Sequence, residues 1–343
     1  SGKGDITTTG SINSSSNALT VNSSSSFSVG NGISIAGAGT SGGTLIAKII
    51  SINGTNVLLD RNASTTVSSA VVKHDDTRSL QNFIDAHTYP GNVENLRSLG
   101  KIKIPAGSFL TTDTLNLGYG EGFKTCSLVG DGPKYAGVYV FNGTAINIQV
   151  ADRPAIAVNG GRMSSIEDMS IIGLLKTHIQ NSGLGYVSPS ATNDIYTPTW
   201  IDPVVLSGYP NLSGRYTPYC GIAIDPYIGA QPTPSYPNQP FPFWLSKQAQ
   251  YNANFSSKTL IQNFQIEGFY VAIANQPGPS DSNGDYTQIE RASLTHNVYG
   301  VSIGNSQARL TTLNNCDIAL THTCITTGTH GVQNGKPSIS IND

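Results

Sequence analysis

Asp225, Glu267, Glu290 and Asp202 are the carboxylates whose positions along the chain could support acid–base chemistry. Side chains alternate across a strand, so in Phe264-Gln265-Ile266-Glu267 the apolar pair faces one way and Gln265 and Glu267 the other. Asp225 follows the inward Ile224 and Glu290 follows the inward Ile289, so both are also expected to face out. Asp202 lies within an aromatic-rich stretch. Two outward carboxyl groups on neighbouring strands can flank one glycosidic bond. One protonates the leaving oxygen, and the other activates water or attacks. Asp225 with Glu267 is the first pair expected, followed by Glu290 and then Asp202. For each of them a solvated surface carboxylate is the ordinary alternative.

Residues 174–258 hold both tryptophans, Trp200 and Trp244, together with Tyr196, Tyr209, Tyr216, Tyr219, Tyr227 and Tyr236. Aromatic faces with polar tips suit sugar rings, offering apolar contact and hydrogen bonds together. Trp200, Tyr227, Tyr236 and Trp244, with Arg215 and His296, are the expected substrate-binding residues. The alternative for any one ring is that it packs the insertion onto the protein or into a subunit contact. Arg215, Arg291, Arg309, His296 and His322 could instead serve a lyase, in which a base removes the proton beside a uronate carboxylate. No Cys-x-x-Cys pair or His/Cys cluster suggests a metal. Asp281-Ser282-Asn283-Gly284-Asp285 lacks the distal Glu of a calcium loop and reads as a turn. No cofactor is expected, since Gly37-x-Gly39 has neither the spacing nor the helix of a nucleotide-binding loop.

These side chains need a scaffold, and a recurring spacing supplies one. It reads Phe123-x-x-Cys126-x-Leu128, Ile166-x-x-Met169-x-Ile171, Ile261-x-x-Phe264-x-Ile266, Ile289-x-x-Ala292-x-Leu294 and Leu313-x-x-Cys316-x-Ile318. A short strand pattern recurring in this way marks stacked coils that bury their core only against one another. Ile166, Ile261, Ile289 and Leu313 are expected to form one inward stack, and Ile171, Ile266, Leu294 and Ile318 a second. A further strand family aligns Ile156-x-Val158, Ile222-x-Ile224, Val271-x-Ile273 and Val301-x-Ile303. Cys126 and Cys316 fall on inward positions and read as small buried hydrophobes. Ahead of the coils, residues 1–19 are polar and low in complexity and read as a flexible linker. Residues 20–74 read as a small β domain, with a hairpin from Leu45 to Leu59 turning at Asn53-Gly54. Asp75-Asp76-Thr77 before Leu80, Phe83 and Ile84 marks a helix over about 76–87, expected to cap the first coil of a domain spanning 75–343.

The segment Gly100-Lys101-Ile102-Lys103-Ile104-Pro105-Ala106-Gly107-Ser108-Phe109 resembles the opening strand and turn of the pectate-lyase-like parallel β-helix family, as used by phage tailspikes. The Asp75-Asp76-Thr77 helix start, Ser127-Leu128-Val129-Gly130-Asp131-Gly132 and Gly221-Ile222-Ala223-Ile224-Asp225-Pro226-Tyr227 fit the same family. Gly32-Ile33-Ser34-Ile35-Ala36-Gly37-Ala38-Gly39 resembles the small β domain that often precedes the helix in tailspikes. The resemblance covers most of residues 20–343. It implies an all-β fold: a right-handed single-stranded parallel β-helix behind a small β domain and a short capping helix. It further implies a homotrimeric spike on the virion tail, extracellular at the host surface. Such a spike recognises a bacterial surface polysaccharide (capsule, exopolysaccharide or O-antigen) and cleaves it by glycoside hydrolysis. A non-enzymatic receptor-binding spike or adhesin and a polysaccharide lyase share the fold and stay open as alternatives. Ser338 to Asp343 still reads as strand, so further coils are expected after it.

Composition narrows the choice. Of 343 residues 12% are charged and the net charge is −2, which excludes a basic nucleic-acid footprint. No apolar stretch is long enough to span a bilayer, so no membrane insertion is expected.

Overall fold

The computed structural model describes residues 6–87, 101–117, 126–133, 143–149, 153–158, 163–175, 219–224, 258–275, 286–303, 310–321, 323–327 and 339–342. The chain divides into two compact units, Ser1–Phe83 with Gly107–Asp113, and Ile84–Ala106 with Thr114–Asp343.

In the first unit six antiparallel strands close into a barrel: β1 (Thr7–Ile12), β2 (Ala18–Val21), β3 (Gly32–Ile35), β4 (Leu45–Asn53), β5 (Asn56–Leu59) and β6 (Val67–His74). Their order is β1-β2-β5-β4-β3-β6, with β6 pairing back to β1. Strict alternation in β2 and β5 turns Leu19, Val21, Val57 and Leu59 inward, where they meet Ile33, Ile35, Ile49 and Val72. The hairpin turns at Gly54, whose φ of 59° suits glycine. The expected linker over 1–19 is corrected here, because β1 lies inside it and Ile12 is buried. Threonine is a good strand former, and the low-complexity run hides a period-two pattern. Gly10 is required in β1, since a Cβ there would lie 2.8 Å from the Thr20 carbonyl oxygen of β2.

The helix α1 (Thr77–His87) follows β6. The Thr77 N–H donates to the Asp75 carboxylate at 2.8 Å, satisfying one orphan donor of the first turn. Leu80 and Ile84 are buried, whereas Phe83 is exposed. Asp76 accepts from Leu110 N–H at 3.1 Å, in the segment β8 (Gly107–Thr111), and sits 2.9 Å from His74 Nε2. Burial pushes the Asp75 carboxyl up. The neighbouring Asp76 charge adds to this, while hydrogen bonds from Thr112 and Thr77 oppose it.

The second unit holds two parallel sheets. One contains, in order, β7 (Lys101–Lys103), β10 (Ser127–Val129), β13 (Ser165–Ile172), β15 (Leu260–Glu267), β17 (Gln288–Thr295), β19 (Thr311–Asn314) and β22 (Ile339–Asn342). β11 (Thr144–Ile148) pairs with the second half of β13, and β20 (Asp317–Ala319) with the second half of β17. The other sheet contains β9 (Leu115–Leu117), β12 (Ile156–Val158), β14 (Cys220–Ile224), β16 (Val271–Asn275), β18 (Tyr299–Ile303) and β21 (Thr323–Thr327). From β13 to β18 successive strands alternate between the sheets, and every pairing is parallel. This arrangement is consistent with a parallel β-helix.

Strand pairing fixes the columns. Ile102, Leu128, Ile166, Ile261, Ile289 and Leu313 are aligned neighbours, and all are buried. Ile146, Ile171, Ile266, Leu294 and Ile318 form the second column. The two expected stacks are therefore present. The first copy of the repeat needs correction, because Leu128 aligns with Ile166 and Ile146 aligns with Ile171. In the second strand family Val271 aligns with Cys220 and Tyr299, two residues from its expected place. Ile273 takes the position beside Ile222 and Val301. A shift of two preserves which face each side chain occupies, so alternation alone could not detect it. Cys126 is buried, whereas Cys316 is only half-buried.

Corners are set by backbone conformation. Asp168, Asn263, Arg291 and Asn315 occupy one corner with φ of 58°, 49°, 48° and 50°. At the next corner Gly173 cannot carry a side chain, since a Cβ would lie 2.3 Å from the Gly268 carbonyl oxygen. Asn297 is fully buried there. Its Oδ1 accepts from Phe269 N–H at 3.0 Å, and its Nδ2 donates to the Ile266 and Thr295 carbonyls at 3.1 and 3.0 Å. Asn297→Ala strands one buried N–H and removes the donor to those carbonyls. A loss of about 1–3 kcal/mol is expected per buried group left unsatisfied, read as a lower urea midpoint. A midpoint equal to wild type would show that the corner does not depend on this amide.

Candidate functional site

Residues flanking the inward Ile102–Leu313 column point to the opposite face of the first sheet. One outward column aligns Lys103, Val129, Glu167, Gln262, Glu290, Asn314 and Asn342. Immediately after it comes the left-handed corner. An ordinary strand would send the next side chain inward, but here the chain turns, and Asp168, Asn263, Arg291 and Asn315 stay half-buried or exposed. The result is two neighbouring polar columns, with rungs Glu167/Asp168, Gln262/Asn263, Glu290/Arg291 and Asn314/Asn315.

The upper end of this face is laced with charge pairs. Lys101 Nζ lies 2.7 Å from Glu167 Oε2, and Ser165 Oγ donates to Glu167 Oε1 at 2.7 Å. Burial raises the Glu167 carboxyl. The hydrogen bonds from Lys101 and Ser165 and the Lys101 charge outweigh that and hold it below the ordinary glutamate value. Lys103 Nζ lies 2.6 Å from Asp131 Oδ1, and Ala106 N–H donates to Asp131 Oδ2 at 2.8 Å. The Lys103 hydrogen bond, with that of Ala106, keeps Asp131 low. Lys101 is held high chiefly by its hydrogen bond to Glu167, and Lys103 by its bond to Asp131. The Asp168 charge acts on both. Asn263 Nδ2 donates to Asp168 Oδ1 at 2.6 Å, linking two rungs of the corner column.

The expected site residues separate on this scaffold. Glu290 is half-buried and lies on the outward column. Glu267 lies opposite Ile266 along β15 and is 3% exposed, so the alternative of a solvated surface carboxylate does not describe it. The half-strand carrying it is bounded by corners on both sides, at Asn263 and at Gly268. Glu290 belongs to the preceding half-strand, and the two acids therefore lie on different facets. His296 is half-buried at the corner beside Gly268, where its carbonyl accepts from Gly268 N–H. Asp225, Asp202, Trp200, Tyr227, Tyr236, Trp244 and Arg215 lie outside the described residues, as do Arg309, His322 and the Asp281–Asp285 run. Tyr219 is fully buried against Phe269, with ring centroids 5.2 Å apart, and its hydroxyl accepts from Leu174 N–H. It packs the coil.

Sequence reasoning passed over Glu167. The rule that selected Glu290, the residue just past an inward isoleucine, selects Glu167 after Ile166 equally well. Glu167 and Glu290 stand two rungs apart with Gln262 between them. At about 4.7–4.9 Å per rung their backbones are roughly 9.6 Å apart. Among the described residues no group of three His, Cys, Asp or Glu side chains is arranged to hold a metal ion, and no helix is long and apolar enough to cross a membrane.

No protein-family profile and no curated protein matches the chain. Solved structures similar to it include the catalytic domain of a GH87 alpha-1,3-glucanase in complex with nigerose, at 12% identity and a TM-score of 0.39 over 94% of this chain and 50% of that one. The Agl-KA catalytic domain matches at 11% identity and a TM-score of 0.42, over 97% of this chain and 55% of that one. The tailspike protein gp49 of Pseudomonas phage LKA1 matches at 8% identity and a TM-score of 0.27, over 90% and 41%. The chain thus spans about half the length of these solved structures.

Proposed function

We propose that this chain is the polysaccharide-recognising and polysaccharide-cleaving part of a phage tailspike. In this reading it is a right-handed single-stranded parallel β-helix, capped by α1, acting as a homotrimer on the virion tail against a bacterial surface polysaccharide. The observation that carries glycoside hydrolysis is the pair Glu167 and Glu290 on one outward column, two rungs apart. Backbones two rungs apart set these acids wider than the roughly 5–5.5 Å between carboxyl groups of retaining enzymes, so the pair fits only the wider inverting arrangement of roughly 6.5–9.5 Å. Lys101 and Ser165 keep Glu167 ionised, which suits the base. Water between the two acids loses its proton to Glu167 while its oxygen bonds to the anomeric carbon. Glu290 gives its proton to the departing glycosidic oxygen as that bond breaks. The Gln262 amide, on the rung between, is placed to hold the water. Asp225, the first acid expected from sequence, remains a candidate for the same role from the following insertion.

The test is incubation with purified capsular, exo- and O-antigen polysaccharides of candidate hosts. New reducing ends without ultraviolet absorbance are expected. An unsaturated product would identify a lyase. The Lys101–Glu167 ion pair favours a second reading, in which that carboxylate is structural and the spike only binds. Binding without chain shortening on every polysaccharide bound would establish it. For the assembly, a full-length spike should behave as a trimer by light scattering, and a stable monomer would contradict the tailspike reading.

The Glu167 environment also fixes a pH dependence. A base titrating below the ordinary glutamate value keeps kcat/KM high until the pH falls beneath about 4.5. Lys101→Met removes the cation that lowers Glu167, so its acid limb should move to higher pH. An unmoved limb would exclude Glu167 as the base.

A further inference from the structure

The corner column does more than turn the chain. Four successive coils place a left-handed residue at the same point, and its side chain stands beside the outward strand column. Any residue adopts that conformation at a cost, and glycine adopts it freely. Yet the corner holds Asp168, Asn263, Arg291 and Asn315, all planar polar groups able to form paired hydrogen bonds. The strand column beside it carries Glu167, Gln262, Glu290 and Asn314, again planar and polar. Rungs recur every 4.7–4.9 Å, roughly, along the coil axis.

We infer that these two columns form an extended saccharide-binding face, on which a polyhydroxyl chain lies parallel to the coil axis across the rungs from Asp168 to Asn315. Its position over Glu167 and Glu290 rests on the hydrolase reading above. The occupant follows from the chemistry. Amide and carboxylate oxygens accept from sugar hydroxyls, and the Asn263, Gln262 and Asn315 amides and the Arg291 guanidinium donate to them. The carboxylates Asp131, Glu167, Asp168 and Glu290 nearly cancel Lys101, Lys103 and Arg291, so the face suits a chain of low charge density rather than a polyanion. Exposed large apolar side chains, which a protein partner would need at its centre, are absent from these rungs among the described residues: in this unit they are Met163, Tyr286 and Leu310 at another corner, with Leu320 and Ile341.

Glycine substitution is the appropriate test, because it removes the side chain and keeps the positive φ. The probe is an array of immobilised bacterial capsular and O-antigen polysaccharides. Wild type is expected to bind at least one of them. The combined variant Asn263→Gly, Arg291→Gly, Asn315→Gly should weaken that binding at least tenfold with an unchanged melting temperature. Lys258→Ala with Tyr286→Ala, at the other corner, should leave it unchanged. On a polysaccharide that is cleaved, the triple glycine variant should raise KM and spare kcat. If it binds and cleaves as wild type does, the face is wrong and hydrolysis stands. If it loses binding to a glycan that wild type never cleaves, the face stands and hydrolysis fails. Wild type binding no glycan, or self-association that the glycine variant abolishes, would assign the face to something other than saccharide.

Discussion

Glu290→Gln is expected to slow polysaccharide cleavage by about 10²–10⁴-fold while polysaccharide binding and melting temperature stay near wild type. The exchange keeps the shape of the side chain and removes the proton it must deliver to the leaving oxygen. Glu290 is half-buried on a strand paired on both sides, so its position does not depend on its charge. Glu167→Gln should produce a loss of the same order, because an amide cannot take the proton from water. A small nucleophilic anion such as azide should restore turnover in one of these variants and not the other, which separates base from acid. Normal cleavage by both variants would remove this pair from the mechanism and return Asp225 to first place.

Ile266→Ala is expected to destabilise the parallel-sheet unit by about 2–5 kcal/mol. Ile266 is fully buried between Ile171 and Leu294 in its column. Its side chain also reaches across the interior, since a Cβ added at Gly221 would lie 2.6 Å from Ile266 Cγ2. Glycine has no side chain with which to refill the space, so most of the cavity should persist. Ile318, in the same column, is only half-buried and should tolerate the same truncation at lower cost. Chemical denaturation followed by intrinsic fluorescence would measure both. A change below about 1 kcal/mol for Ile266→Ala would contradict the column assignment.

The inward columns were legible because each coil repeats Ile-x-x-φ-x-Ile, in which φ is any apolar side chain, and only inward positions are restricted in this way. The corner within that spacing was not legible. Ile166 and Ile171 both face inward across an odd interval, which a plain strand forbids, and the left-handed Asp168 reconciles them. The equivalent left-handed Asn263 moves Glu267 onto a different facet from Glu290, so carboxylates that look equivalent in sequence do not share a surface. Burial of Glu267 was likewise invisible, because alternation gives a direction and not what covers it. The barrel strand β1 was hidden by composition, its threonines and glycine reading as linker although their alternation fits a strand. Glu167 was legible by the rule that found Glu290.

The most direct test is proton NMR of the anomeric signals during the first minutes of digestion of a polysaccharide that the protein cleaves. The two-rung separation of Glu167 and Glu290 predicts that the new reducing end appears first in the anomeric configuration opposite to that of the bond cleaved, and then mutarotates. Initial appearance of the retained anomer, or of an unsaturated sugar, would contradict hydrolysis by this pair.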